Sequence, residues 1–207
     1  MIFDEKMLKE LQNAIESTMS PKRFRHTVAV ADMAVRLGRL YAPDKLSLLA
    51  AAGLLHDITK EYTTERQIEI FRENGIFVTK EDILSPKTFH ARTAVLLIPR
   101  LYPAFADPEL LSAVRYHTTG RAGMSMTERI VYFADYIDDT RTFEDCVLLR
   151  RLFWDANPAA MEQDEREEHF RRLLILSFDK TLSALIAEGG VISGDTLAAR
   201  NSLILEA

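Results

Sequence analysis

The chain has 207 residues, of which 47% are hydrophobic, and its net charge is −5. This length suits one domain with a sizeable core, and we expect a single domain over residues 1–207. The negative charge argues against general nucleic-acid binding, which normally needs a basic surface. The single cysteine, Cys146, excludes an internal disulfide and a thiolate metal cluster. We expect a cytoplasmic protein, because we find neither a leader-like segment nor an apolar run that could span a membrane.

Helical periodicity runs along the chain, and no segment sustains the alternation of a half-buried strand, so the pattern predicts an all-α fold. Ser20-Pro21 supplies an N-cap and a first-turn proline for a helix to about Tyr41. Pro43-Asp44 should open the next helix. That helix is apolar from Leu48 to Leu55 and ends in His56-Asp57.

Cap signals continue along the chain after Asp57. Thr64 and Gln67 have capping-box spacing for a helix over about 64–74. Asp107-Pro108 repeats the N-terminal signal, and another helix is expected over about 127–138. We place the core of the domain at about residues 20–143, followed by a helical C-terminal extension over about 144–207.

Histidine and aspartate side chains recur on apolar helical faces, where they would be costly to bury without partners. The candidate metal ligands are His26, His56, Asp57, His90, His117 and Asp135. Six nitrogen and oxygen ligands are too many for one four-coordinate structural zinc. The set therefore predicts two metal ions with Asp57 able to bridge them. Judged singly, each histidine could also be a core or surface residue with an unrelated partner, so the metal interpretation requires that all six converge.

Longer stretches around these residues resemble the YqeK family of HD-domain phosphohydrolases. The similar segments are Arg25–Thr27, His56–Lys60, Phe89–Ala91, Tyr116–Met124 and Ala134–Ile137, within about residues 20–155. The resemblance implies an HD-domain helical bundle that cleaves diadenosine tetraphosphate symmetrically to two ADP through a metal-activated water. It also implies that His26, His56, Asp57 and Asp135 hold one ion and that His90 and His117 hold the second, with Asp57 between them. Iron is the metal that the family implies, and manganese, cobalt or zinc would suit the same ligands.

Three positive residues follow the ligands closely and are expected to bind phosphate, namely Lys60, Arg121 and Arg141. Thr118 and Gly120 add a hydroxyl and a flexible backbone beside Arg121, and we include both as substrate-binding residues. The predicted catalytic residues are Asp57, Lys60 and Arg121.

One segment departs from the family pattern. Asp138-Asp139-Thr140 stands before Arg141 where the family commonly has glutamate, proline and asparagine. Without that proline we expect Arg141 to be less ordered, and therefore to contribute less to substrate binding than Arg121.

Two alternatives to diadenosine tetraphosphate hydrolysis stay open. The same site could act on a nucleoside monophosphate, a deoxynucleoside triphosphate or guanosine tetraphosphate. A non-catalytic nucleotide sensor that binds metal is the second alternative, although such a protein need not keep all six ligands. In each case the expected partner is a small nucleotide, with no nucleic acid or membrane. A homodimer is also compatible with the apolar residues of the extension.

Overall fold

The computed structural model describes residues 3–206, which fold into helices and the turns that join them. No β-strand occurs within that range, which confirms the all-α prediction. The α-helices are α1 (Glu5–Glu16), α2 (Pro21–Tyr41), α3 (Leu46–Leu55), α4 (Thr64–Glu73), α5 (Lys80–Leu84), α6 (Phe89–Leu101), α7 (Pro108–Tyr116), α8 (Met126–Ile137), α9 (Glu144–Asp155), α10 (Gln163–Ala187) and α11 (Gly194–Leu205). None of the described helices combines the length and apolar character needed to cross a bilayer.

Side-chain caps begin the helices that carry the candidate site. Ser20 accepts a hydrogen bond from the backbone N–H of Arg23, with Pro21 as the first residue of α2. Asp107 caps α7 in the same way, and Ser125 forms a capping box at the start of α8. These caps fix where each helix starts and therefore which residues share its buried face.

Two helix starts differ from the prediction. Pro43–Lys45 forms a separate 3-10 turn, so α3 begins only at Leu46. The cap of α4 is Thr63, whose side chain accepts a hydrogen bond from the backbone N–H of Arg66, and Thr64 is the first helical residue. In both cases the expected helix forms, but the capping residue or turn differs from the one that spacing indicates.

Helices α2 and α3 pack closely, and α2 also contacts α8. A Cβ atom on Gly53 would lie only 2.5 Å from the Cα atom of Ala31, so glycine is needed where the two backbones meet. This close packing sets the C-terminal end of α3 beside α2. His56 and Asp57, directly after α3, therefore lie near His26 in α2.

The C-terminal helices pack against α8. Phe178 in α10 stacks on Tyr132 with ring centroids 4.4 Å apart, and Phe170 contacts Phe133 edge-on at 5.4 Å. Leu203 in α11 belongs to the same apolar cluster as residues of α2, α3 and α8. The single domain and the boundary near residue 143 stay predictions.

Candidate metal centre

The structure brings the six predicted ligands together from five helical segments. His26 lies in α2, His90 in α6 and Asp135 in α8, whereas His56, Asp57 and His117 lie directly after helix ends. The four histidines and Asp57 are buried, and Asp135 is partly buried. Convergence is what the metal interpretation requires, and the assignment of individual ligands remains a prediction.

Asp57 lies at the middle of this group. Its Oδ2 atom is 3.4 Å from Nε2 of His56 and 3.7 Å from Nε2 of His26. Its Oδ1 atom is 3.2 Å from Nε2 of His90 and 3.7 Å from Nε2 of His117. Each carboxylate oxygen therefore faces a different pair of imidazoles.

Asp135 lies beside His26 and His56, the two imidazoles that face Oδ2 of Asp57. Its Oδ1 atom is 3.1 Å from Nε2 of His26 and 3.8 Å from Nε2 of His56. Ligand atoms about 2.1 Å from one ion lie roughly 3.0 to 3.4 Å from one another in octahedral or tetrahedral geometry. The observed separations are of this size or slightly larger.

Hydrogen bonds to backbone carbonyl oxygens at the far side of the rings orient two of the imidazoles, and side chains contact a third ring there. Nδ1 of His56 lies 2.6 Å from the carbonyl oxygen of Gly53, and Nδ1 of His117 lies 2.7 Å from that of Val114. A carbonyl oxygen can only accept, so these Nδ1 atoms donate and each Nε2 presents a lone pair. Nδ1 of His26 lies 3.2 Å from a carboxylate oxygen of Asp138 and 3.3 Å from the hydroxyl oxygen of Thr140, so these two side chains support this ring.

This donor set fits a divalent cation. A lone pair on Nε2 and a carboxylate oxygen repel one another unless a positive charge lies between them. The Nε2 atoms of His26 and His56 are buried and have no hydrogen-bond partner among the described residues. Such atoms normally have a partner, and a metal ion would supply it. The residues present are therefore suited to hold metal.

The pKa shifts of Asp57, His90 and His117 also favour metal binding. Burial would raise the pKa of Asp57, but the neighbouring imidazoles of His56 and His117 outweigh that effect and hold the pKa well below its usual range. Burial lowers the pKa of His90 well below the usual value, and it also lowers that of His117. An ionised carboxylate and neutral imidazoles are the forms that bind metals.

His26 shifts in the opposite direction. Burial lowers its pKa, but the adjacent carboxylates of Asp135 and Asp138 outweigh that effect and raise the pKa to about 9. The two carboxylates thus draw positive charge to this end of the site.

Sequence reasoning missed two residues that contact the ligands. Arg23 donates from Nη1 to Oδ2 of Asp57 over 2.5 Å, and it precedes His26 by three residues on one helix face. Asp138, fully buried, follows Asp135 by three residues and contacts His26. The i, i+3 spacing between Arg23 and His26 was a usable signal. Asp138 follows the end of α8, so helical spacing did not indicate it.

Lys60 and Arg141 lie beside the ligands. The Nζ atom of Lys60 is 3.3 Å from each ring nitrogen of His90. Burial lowers the pKa of Lys60, although the carboxylates of Asp57 and Asp135 act in the opposite direction. Arg141 donates from Nη2 to Oδ1 of Asp135 over 2.6 Å and from Nε to the carbonyl oxygen of Asp135 over 3.0 Å. Arg141 is therefore held in place without a proline, contrary to our expectation.

Arg121 and Gly120 lie elsewhere. Arg121 donates from Nε to the buried carboxylate of Glu128 over 2.8 Å, because that carboxylate needs a positive partner in the protein interior. Gly120 packs against Phe178 and Ala199. Neither residue lines the cavity next to the ligands, whereas Thr118 does. Lys60, Thr118 and Arg141 therefore line this cavity, whereas Arg121 pairs with Glu128 and Gly120 lies against Phe178.

A cavity of about 440 Å³ opens beside the ligands. His117 and Asp135 reach its wall, together with Lys60 and Arg141. Helix α10 contributes its far side through Lys180, Thr181, Ala184 and Leu185. The extension therefore completes the cavity that a ligand of this centre would enter.

A helical bundle around a histidine and aspartate centre is the architecture of an HD domain. The family model described as HD domain matches residues 23–140, more than half of the chain. A solved structure from Clostridium acetobutylicum, described as a predicted HD superfamily hydrolase involved in NAD metabolism, is 30% identical. It superposes with a TM-score of 0.82, and the match covers both chains completely.

Curated relatives indicate a particular family among HD-domain proteins. The symmetrical bis(5'-nucleosyl)-tetraphosphatase of Halalkalibacterium halodurans is 30% identical over 195 residues, which cover 93% of this chain and 94% of that protein. The protein of the same name from Bacillus subtilis is 27% identical, covering 95% of this chain and 97% of its own. Within the HD superfamily, the chain belongs to the family of these tetraphosphatases, which confirms the resemblance found in the sequence.

Proposed function

We propose that this protein hydrolyses diadenosine tetraphosphate symmetrically to two ADP at a centre that holds two divalent metal ions. The observation that carries the proposal is the position of Asp57, whose two oxygens face separate pairs of imidazole Nε2 atoms. A bridging carboxylate between two ions has this arrangement, whereas a single ion does not require it. The substrate class comes from the names of the curated relatives.

The ligands divide between two ions. His26, His56 and Asp135 would join Oδ2 of Asp57 around one ion, and His90 and His117 would join Oδ1 around the other. When bound, such ions activate water and neutralise charge on phosphate oxygens. We propose iron as the metal, and manganese, cobalt or zinc would accept the same nitrogen and oxygen ligands.

The remaining residues position the substrate. Arg141 offers a planar guanidinium that Asp135 holds at the cavity wall, and Lys60 adds a point charge beside His90. Both charges offset the negative charge of the tetraphosphate chain. The oxygen of one water bonds to one central phosphorus, the bond between that same phosphorus and the bridging oxygen breaks, and the bridging oxygen leaves with the second ADP. Two ADP and two protons result.

The test is product analysis with the metal-loaded protein. In water labelled with ¹⁸O, we expect ADP as the sole product from diadenosine tetraphosphate, with label in half of the molecules. Asp57→Asn should abolish turnover, while the matched control Asp155→Asn, an exposed aspartate at the end of α9, should not change it. Formation of ATP and AMP would contradict the symmetrical reaction.

A nucleotide panel addresses the alternatives. Turnover of only a nucleoside monophosphate, a deoxynucleoside triphosphate or guanosine tetraphosphate would assign a different HD hydrolase activity. Tight nucleotide binding without any turnover would favour a sensor. The cytoplasmic location and the homodimer stay predictions.

A further inference from the structure

A second cavity, of about 690 Å³, lies next to the first. The two share Arg141 and Phe143 in their walls. His117 and Asp135 reach the first cavity, and His26 reaches the second. Both cavities therefore open onto the candidate metal centre.

The walls of the second cavity are basic. They contain Lys22, Arg23, Arg25 and Arg141 but, among the described residues, a single carboxylate, that of Glu61. Arg23 and Arg141 are held by ligand carboxylates, and Glu61 accepts hydrogen bonds from the backbone N–H and hydroxyl of Ser20. The exposed Lys22 and Arg25 form no ion pair with any residue in the range 3–206. These two cations are available to an anionic ligand.

We infer that the second cavity binds one nucleoside diphosphate half of the substrate and that the first cavity binds the other half. This inference rests on the proposed function. Both volumes lie within the roughly 300 to 1,000 Å³ of small-molecule sites. With a half-site on each side, the middle of the tetraphosphate lies over the ligands, which accounts for cleavage into equal products. Lys22 and Arg25 bind phosphate oxygens of the second half.

Phe143 lies where the two cavities meet. Its side chain is 69% exposed, which is unusual for a phenylalanine beside a buried polar centre. Aromatic faces bind nucleobases by stacking. Phe143 therefore supplies a stacking surface for an adenine base.

Phe143→Ala should raise KM for diadenosine tetraphosphate at least about fivefold. Phe77→Ala is the control, because it removes an 84% exposed ring that lines neither cavity, and it should leave KM unchanged.

Calorimetric titration of the metal-loaded protein with ADP tests the half-sites directly. We expect two ADP per native chain and one per chain in the double variant Lys22→Gln, Arg25→Gln. The double variant should also raise KM for diadenosine tetraphosphate about tenfold or more, because charge-assisted bonds to phosphate are lost. Arg151→Gln removes an exposed cation of α9 that lines neither cavity, and it should keep both values native.

A native stoichiometry of one ADP, or an unchanged KM in the double variant, would overturn the second half-site. The proposed function would survive either result if native protein still converted diadenosine tetraphosphate to two ADP. Two bound ADP without that turnover would support the half-sites and count against the proposed function. The two ideas can therefore fail separately.

Discussion

Replacing Gly120 by alanine should destabilise the protein through two separable effects. Gly120 has φ +62°, a conformation that costs alanine about 1–2 kcal/mol. The added Cβ would also lie 2.6 Å from Cζ of Phe178 and 2.8 Å from Cβ of Ala199. Overpacking of this kind costs about 1–3 kcal/mol. We expect a total loss of about 2–5 kcal/mol in the free energy of unfolding.

Gly123 provides the matched control. It has φ +63°, but a Cβ there would meet nothing within 4 Å, so Gly123→Ala should lose only the conformational part, about 1–2 kcal/mol. Urea denaturation of both variants and the native protein measures the difference. Equal losses would show that Phe178 and Ala199 move aside without cost and would refute the packing argument. Where Gly120→Ala remains folded, its KM for diadenosine tetraphosphate should stay near the native value, since Gly120 does not line either cavity.

Three further predictions concern the centre itself. Asp57→Ala should abolish turnover and lower the metal content found by elemental analysis, because both ions lose a ligand; native values of both would contradict the bridging assignment. Arg141→Ala should lower kcat/KM more than Arg121→Ala, whereas Arg121→Ala should cost about 1–3 kcal/mol of stability by leaving a buried carboxylate without its cation. Steady-state kinetics and urea denaturation test this ranking, and the reverse order in both would show it to be wrong. Asp138→Ala should weaken metal affinity about 10-fold to 100-fold by removing a side chain that supports the His26 ring, as equilibrium dialysis would show, and an unchanged affinity would contradict that role.

The sequence allowed the six candidate ligands to be found because burial of polar residues on apolar helical faces leaves a regular pattern. His26 and Asp135 share faces with apolar residues of α2 and α8, and His56-Asp57 ends an apolar helix. Caps such as Ser20 are likewise local, so helix starts could be predicted to within a few residues.

Side-chain contacts across the turns next to helices could not be predicted in this way. Proximity in sequence to His117 indicated Arg121 as a phosphate contact, but the partner of its guanidinium is Glu128, on the next helix. Arg141 looked poorly ordered because a proline was absent, and the bonds to Asp135 that hold it depend on how the chain turns after α8. Side-chain pairing across a turn is decided by tertiary geometry, which spacing alone does not specify.

The hydrogen bonds behind the imidazoles make the centre unequally tolerant of mutation. His56 and His117 are each held by the carbonyl oxygen three residues earlier, in the last turn of the helix they follow. No substitution can remove a backbone carbonyl, so the orientation of these two rings tolerates most substitutions nearby. His26 depends instead on the side chain of Asp138, which one base change in a codon can replace. Mutations that alter metal binding, whether in nature or in laboratory evolution, should therefore arise first at the end of the site that His26 occupies.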